Sequence, residues 1–331
     1  MARSNTVLHT RTAVFPAMGN TARVIVVADS ENELSHLIEV AQARLAQLEV
    51  RWSRFIATSE VSQLNTALHS VWTPVSDDTA MLLHYLVEAF RATNGAFNPF
   101  LLPALIDAGY SHSLTNNATV SLPSSASWHA TANDLEVQLT SSGWQARLHN
   151  GATVDPGGMG KGLAADIVAE QLMSLNARGV SISVGGDLRC IGTPGDAEVW
   201  PVHIEDAEHP LRIAASIVIP SGGVATSSTH AKRWHVGSDM QHHVIDPTTG
   251  KPIAQDAPEA LHTTTVIAST AAWAEVFATA LLVSGEKIGT ELLAFFHLAS
   301  RVVRTDGSSV ETASWAQYAT TPIPYQENET I

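Results

Sequence analysis

Four glycines in six positions, within Asp155-Pro156-Gly157-Gly158-Met159-Gly160-Lys161-Gly162, constrain this chain more than any other stretch. The segment joins the apolar run Ala152-Thr153-Val154 to an apolar-periodic stretch from about Lys161 to Asn176. A strand there must turn at once into a helix, and glycine permits such a backbone. The helix start carries a partial positive charge, and Lys161 adds a full one. Main-chain N–H groups aimed from such a turn suit a phosphate or a pyrophosphate. The stretch is not a P-loop, because Gly162 stands where Ser or Thr belongs and Asp155 where the first glycine belongs. It also lacks the spacing of the dinucleotide-binding glycines. Taken alone, it suits a tight turn without a ligand equally well.

The rest of the pattern mixes helices and hairpins without a regular βαβ rhythm, which predicts an α+β fold with mostly antiparallel sheets and packed helices. Ala22 to Ala28 is β-branched and apolar and reads as a buried strand. Ser30 and Glu33 form a capping box for an amphipathic helix over 31–51. Ser76 caps a second helix that runs from about Asp77 to Thr93 and stops at Gly95. Alternation at Leu135, Val137 and Leu139, then Trp144, Ala146 and Leu148, predicts a hairpin. Further strands are expected near 152–154, 180–184, 199–204 and 211–219. Thr263 to Ile267 reads as a buried strand that leads into a helix over about 270–284. Residues 111–133, rich in Ser, Thr, Asn and Ala, are expected to be a variable surface loop, and the chain to form one domain over 1–331. In that scheme 1–17 is an N-terminal extension and 286–331 a C-terminal segment.

Charge narrows the function. Eighteen basic against 32 acidic residues leave −14, which argues against nucleic-acid or anionic-membrane binding. A single cysteine, Cys190, excludes an internal disulfide framework and a cysteine zinc cage. The most apolar window, Thr265 to Ser284, is interrupted by Glu275 and does not read as a membrane span. The N-terminal residues lack the apolar run of a secretory signal. These features predict a soluble, cytoplasmic protein.

Other segments carry chemistry more weakly. Gly185-Gly186-Asp187 follows a strand and reads as a turn. Thr226-Ser227-Ser228-Thr229, followed by Lys232-Arg233, is a hydroxyl-rich loop with two cations. His242-His243-Val244-Ile245-Asp246-Pro247 sets imidazoles beside a carboxylate, and histidine can act as a base near neutral pH. The 15 histidines show no zinc-type spacing; a zinc site from distant histidines stays open but has no support in the pattern. Glu275 and Thr279 project from one face of an apolar helix. Such a Glu either reaches solvent at the helix edge, pairs with a basic residue or, if buried, holds a cation, and an oxygen-only set favours Mg²⁺. There is no G-x-S-x-G nucleophile elbow.

In order along the chain, these segments resemble the FAD:protein FMN transferases, the ApbE family. Met18-Gly19-Asn20-Thr21 is similar to the family's opening Met-Gly-Thr element. Trp52-Ser53-Arg54-Phe55 with Ser59 to Asn65, Gly95-Ala96-Phe97-Asn98-Pro99, and Asp155 to Gly162 resemble its successive signatures. So do Val184 to Arg189, Ala225-Thr226-Ser227, His243 to Pro247, and Ala274-Glu275 through Thr279.

The resemblance implies a T-fold-like core and Mg²⁺-dependent transfer of FMN from FAD to a threonine or serine of a target flavoprotein, with AMP leaving. It further implies that Met18, Phe55, Ala96, Phe97, Asn98, Asp155 and Lys161 line the FAD, with Thr226 and Ser227 near its phosphates. Gly158, through its carbonyl, would hold Mg²⁺ together with Glu275 and Thr279. His243 would orient or deprotonate the acceptor hydroxyl, and Lys161 would hold phosphate oxygens. Four positions depart from the family: Glu275 for an Asp, Asn98 for an Asp, Phe100 for a common Thr, and Ser228 for a Gly. Two other outcomes use the same residues: hydrolysis of FAD to FMN and AMP, and FAD binding without turnover. The missing fingerprints argue against a nucleotide-dependent oxidoreductase.

Overall fold

The computed structural model describes residues 7–68, 70–113, 118–206, 208–209 and 212–320. Its frame is an eight-stranded sheet: β1 (His9–Ala17), β2 (Asn20–Ala28), β3 (Gly179–Val184), β4 (Asp187–Gly192), β5 (Gly222–Ser228), β6 (Leu261–Ala268), β7 (Ala299–Arg304) and β8 (Ser309–Glu311). The strands lie side by side in chain order, and every neighbouring pair is antiparallel. Such a sheet needs no crossover helix between neighbours, which is why the sequence lacks a βαβ rhythm.

Among the described residues six α-helices accompany it: α1 (Glu31–Trp52), α2 (Glu60–Thr66), α3 (Asp77–Ala92), α4 (Leu102–Asp107), α5 (Gly160–Ser174) and α6 (Ala271–Phe295). The expected capping box starts α1: the Ser30 hydroxyl accepts from Glu33 N–H while the Glu33 carboxylate accepts from Ser30 N–H. Its Leu34, Leu37, Ala41, Leu45, Leu48 and Trp52 share one core with Val24, Val26, Val180, Ile182, Val184 and the inner faces of α5 and α6. Each large side chain fully buried there stabilises by about 1.5–3 kcal/mol. The opposite residues of the sheet, among them Val27, Cys190, Val224 and Ile267, pack on Trp200, Ile217 and Trp315. Those belong to or flank a smaller sheet of Trp200–Glu205, Ile213–Ile219 and Ala319–Thr320. The period of two along β2 thus separates the two cores.

Several expectations are corrected. The supposed N-terminal extension is, from His9 onward, strand β1; its residues 1–6 lie outside the described residues. Its Thr10, Arg11 and Thr12 are exposed at the sheet edge, which hides the strand from a search for apolar runs. Beyond 286 the chain again joins the frame: α6 continues past a non-helical Gly285 to Phe295, and β7 and β8 close the sheet. Residues 321–331 lie outside the described set.

Ala152–Val154 is not a strand. Val154 N–H donates to Asn65 Oδ1 at 2.7 Å, and Asn65 Nδ2 donates back to Val154 O at 2.8 Å. A side-chain amide therefore takes the place of a neighbouring strand. The strand expected over 211–219 begins at Ile213, and residue 211 is outside the described set. The 111–133 segment is irregular where described, apart from a bridge between His112 and Thr119 and a short turn of helix at Ala132–Asp134; 114–117 are outside the set. No helix of the described residues is long and apolar enough to cross a membrane.

Candidate active site

The glycine-rich turn ends where two helices meet. Gly162, in the first turn of α5, faces the first turn of α6; a Cβ there would lie 2.5 Å from the Ala271 carbonyl oxygen. Packing at that crossing therefore requires a glycine where a P-loop carries Ser or Thr. Asp166, one helical turn on, accepts from Ala271 and Ala272 N–H at 2.9 Å each and so caps α6 from α5. The turn is less open as an anion nest than its glycines suggest. Gly157 N–H donates to Asp155 Oδ1, Gly160 N–H to Pro156 O, and Gly162 N–H to Glu275 Oε2. Three of the expected donors are therefore used inside the protein.

Above this turn lies a cavity of about 210 Å³. Ala96, Phe97, Asn98, Asp155, Gly158, Lys161, Thr226, Ser227, His243, Glu275 and Thr279 all line it. Met18 and Phe55 do not. Met18 turns the chain from β1 to β2, and its N–H donates to Glu49 Oε2 at 2.8 Å. Asn20, two residues on, lines the cavity in its place. Phe55 stands behind the wall: the Arg54 guanidinium lies over its ring at 4.7 Å and over the Tyr110 ring at 4.8 Å. Arg54 itself reaches the cavity and pairs with Asp155.

At the floor, two buried carboxylates share one lysine. Lys161 Nζ is 2.7 Å from Asp187 Oδ2 and also pairs with Glu275. Asp187 is 3% exposed and Glu275 3% exposed. Burial works against the Lys161 charge, but Asp187 and then Glu275 hold its pKa above the usual lysine range. Burial, with Asp187 next, pushes Glu275 above the usual carboxylate range against the pull of Lys161. Asp187 follows the Gly185-Gly186 turn, whose two residues both have positive φ, as a two-residue hairpin between β3 and β4 requires. Thr279 Oγ1 and Ser227 Oγ are 3.0 Å apart, and Gly158 lies against Phe97 and Thr279.

The other wall carries Lys232 and His243. Burial, then repulsion from Lys161 and Arg54, pushes the Lys232 amine down to about 8. Burial, then the charge of Lys232, pushes His243 down to about 3, so its ring is neutral near pH 7. Its Nδ1 is shielded from solvent and has no hydrogen-bond partner among the described residues. Asn98 accepts from Phe100 N–H at 2.9 Å, which fixes its side chain at the rim. Leu101, Leu105, Tyr110, Val244 and Ile245 give the cavity an apolar side.

Arg54, Asp187 and Lys232 are the charged lining residues that motif reading leaves without a role. Arg54 and Asp187 stand inside the quoted segments, and Lys232 was visible only as a cation after a hydroxyl-rich loop.

The donor set fits a hard divalent cation. It consists of oxygens only, from Glu275, Thr279, Asp187 and the main chain at Gly158, and its two carboxyl groups share a single lysine. Beyond its ion pair with Lys161, the buried Asp187 Oδ2 has no hydrogen-bond partner among the described residues.

Comparison with known proteins gives a consistent picture. The family model described as "ApbE family" matches residues 18–301. The FAD:protein FMN transferase of Haemophilus influenzae is 27% identical over 311 residues, covering 90% of this chain and 88% of that protein. The crystal structure of the ApbE protein of Thermotoga maritima superposes with a TM-score of 0.79 at 22% identity, covering 95% of this chain and 100% of the other. The apo form of the flavinyl transferase ApbE of Pseudomonas stutzeri gives a TM-score of 0.76 at 22% identity, over 96% and 98% of the two chains. The α+β frame of antiparallel sheet and packed helices is the frame of these structures.

Proposed function

The chain belongs to the ApbE family, and from that membership we propose that it works, as one flavin-transferase unit, by moving FMN from FAD onto a threonine or serine hydroxyl of a target flavoprotein. The bond formed is a phosphoester, and AMP is released. The observation that carries this reading is the single cavity that gathers three cations, Arg54, Lys161 and Lys232, beside an oxygen-rich floor and an apolar side. A dinucleotide with a flat flavin and a charged pyrophosphate asks for that combination.

In this reading Ala96, Phe97, Asn98 and the apolar side hold the flavin. Thr226 and Ser227 stand at the phosphates, with Lys161 and Lys232 supplying the positive charge that a phosphoryl transition state needs. Glu275, Thr279 and the Gly158 carbonyl would hold Mg²⁺, which when bound supplies Lewis-acid neutralisation of pyrophosphate oxygens. Lys161 would then exchange part of its pairing with Glu275 for a phosphate oxygen, keeping Asp187. The acceptor oxygen forms a bond to the FMN phosphorus as the bond to the AMP phosphate breaks. His243, neutral, takes the acceptor proton at a ring nitrogen as the hydroxyl becomes acidic.

Mass spectrometry of a candidate flavoprotein, incubated with the protein, FAD and Mg²⁺, tests the reading. Added FMN with one AMP per transfer is expected. Equal AMP without acceptor would instead indicate hydrolysis, and bound FAD without AMP would indicate a carrier. The same reading keeps the protein in the cytoplasm, which cell fractionation checks separately.

A further inference from the structure

Three side chains converge that do not line the cavity. They are His230, His262 and Glu208, and one donor atom of each lies within 4.8 Å of the others. His230 Nδ1 and His262 Nε2 are in hydrogen-bond contact, with the ring centres 3.7 Å apart. Glu208 Oε1 is 4.0 Å from the other nitrogen of His262.

We propose that His230, His262 and Glu208 bind one divalent ion of the zinc class, at a site distinct from the flavin cavity. Two imidazoles and a carboxylate suit zinc and its borderline neighbours, whereas Mg²⁺ prefers oxygen donors alone. Three protein ligands leave a fourth position for water.

Local structure prepares the site. His262 is the extra residue of a β-bulge: β6 advances two residues from Leu261 to Thr263 while β7 advances one, from Arg304 to Val303. Such a bulge re-aims a side chain out of the ladder. His262 is 5% exposed, and its carbonyl accepts from Thr229 N–H at 3.2 Å, which ties the His230 loop to the strand. The main-chain N–H of His230 donates to Ser228 Oγ at 3.0 Å and fixes the backbone from which its ring projects. Burial holds both rings below their usual pKa, with Glu208 pulling against it at His262, and this favours the neutral form that ligates. The Arg233 guanidinium is the nearby cation, held by its own bond to Thr229 O, and Glu208 offsets its charge. Without an ion, one ring directs its N–H at the facing nitrogen of the other; with an ion bound, that ring carries its proton on its other nitrogen and both facing nitrogens are free to ligate. The ligands come from three separate elements, so no spacing in the sequence reveals them.

The test uses the full chain without a tag, stripped with chelator and without FAD, so it stands apart from the transferase reading. Zn²⁺ is titrated against a chromophoric chelator, and Co²⁺ is added for its visible spectrum. One equivalent of micromolar or tighter Zn²⁺ is expected, with a tetrahedral Co²⁺ spectrum and a zinc-dependent rise in Tm. His230→Ala and His262→Gln should each weaken binding by more than about 100-fold, beyond what loss of an outer partner costs. Glu208→Ala, at an exposed position, should weaken it and remain folded. His235→Ala, an exposed histidine outside the cluster, should bind as the parent does. Absence of a one-to-one site in the parent, or undiminished affinity in folded His230→Ala, would overturn the proposal.

Discussion

Gly162 N–H donates to Glu275 Oε2 at 2.9 Å, joining residues 113 apart in the chain. That bond links the glycine-rich turn to the acidic helix and sets the floor of the cavity. Because Glu275 accepts a main-chain N–H and pairs with Lys161, its carboxylate belongs to the fold as well as to the candidate site.

Replacing the charge while keeping the shape separates those roles. Glu275→Gln can still accept from Gly162, and it removes the repulsion with Asp187. We expect Tm to move by only a few degrees while Mg²⁺-dependent FMN transfer falls by about 100-fold or more, the scale of a lost electrostatic group at a reacting centre. Full Mg²⁺-dependent turnover by this variant would remove Glu275 from the metal set.

Gly162→Ala tests the helix crossing. Its Cβ would sit 2.5 Å from the Ala271 carbonyl oxygen, which is backbone and cannot swing aside. A loss of about 1–3 kcal/mol or more is expected. Urea unfolding measures it, and an unchanged midpoint would show that the helices part freely.

Asn65→Leu removes both bonds to Val154 in a buried place. The Val154 N–H and C=O are then left without partners, at about 1–3 kcal/mol each. Loss of stability should come with slower transfer, because Asp155 follows Val154 directly. A variant as stable as the parent would mean that water replaces the amide.

His243 gives a pH signature. Its folded pKa of about 3 lies below the ordinary 6.5. The unfolded chain therefore binds more protons between those values, and stability contributed by the neutral ring is complete above pH 6.5 and lost as pH falls towards 3. Between pH 7 and 4.5 the parent should lose up to about 2–3 kcal/mol more than His243→Ala, read from urea midpoints. The same variant should bind FAD and transfer slowly; an unchanged transfer rate places the base elsewhere.

Lys232 gives a second one. With its amine pushed down to about 8, the unliganded protein loses this charge as pH rises through 8. FAD affinity should weaken over pH 7–9.5 in the parent and stay level in Lys232→Arg, whose charge persists. Fluorescence titration of FAD checks this, and parallel curves would show that Lys232 does not face the phosphates.

Local chemistry was readable along the chain. Ser30 with Glu33 announced α1, Val180, Ile182 and Val184 announced a strand, and the glycines of 157–162 announced the turn into α5. Strand β1 escaped because its exposed Thr and Arg residues mask the apolar alternation. Ala152–Val154 misled for the opposite reason: it is apolar and buried, but its backbone is satisfied by Asn65 rather than by a strand. Glu275 and Thr279 were legible as one helix face, whereas Lys161 as the partner of both Asp187 and Glu275 was not.

What the sequence by itself determined is what acts within a few residues: caps, periodicity and the glycines a turn demands. The tertiary structure alone decided which charges meet. Asp187 enters the floor from a hairpin, Lys232 the wall from a loop, and His262 meets His230 because a bulge turns it out of the ladder. Helix crossings and strand pairings bring those groups together over long stretches of chain, and no local spacing encodes that convergence.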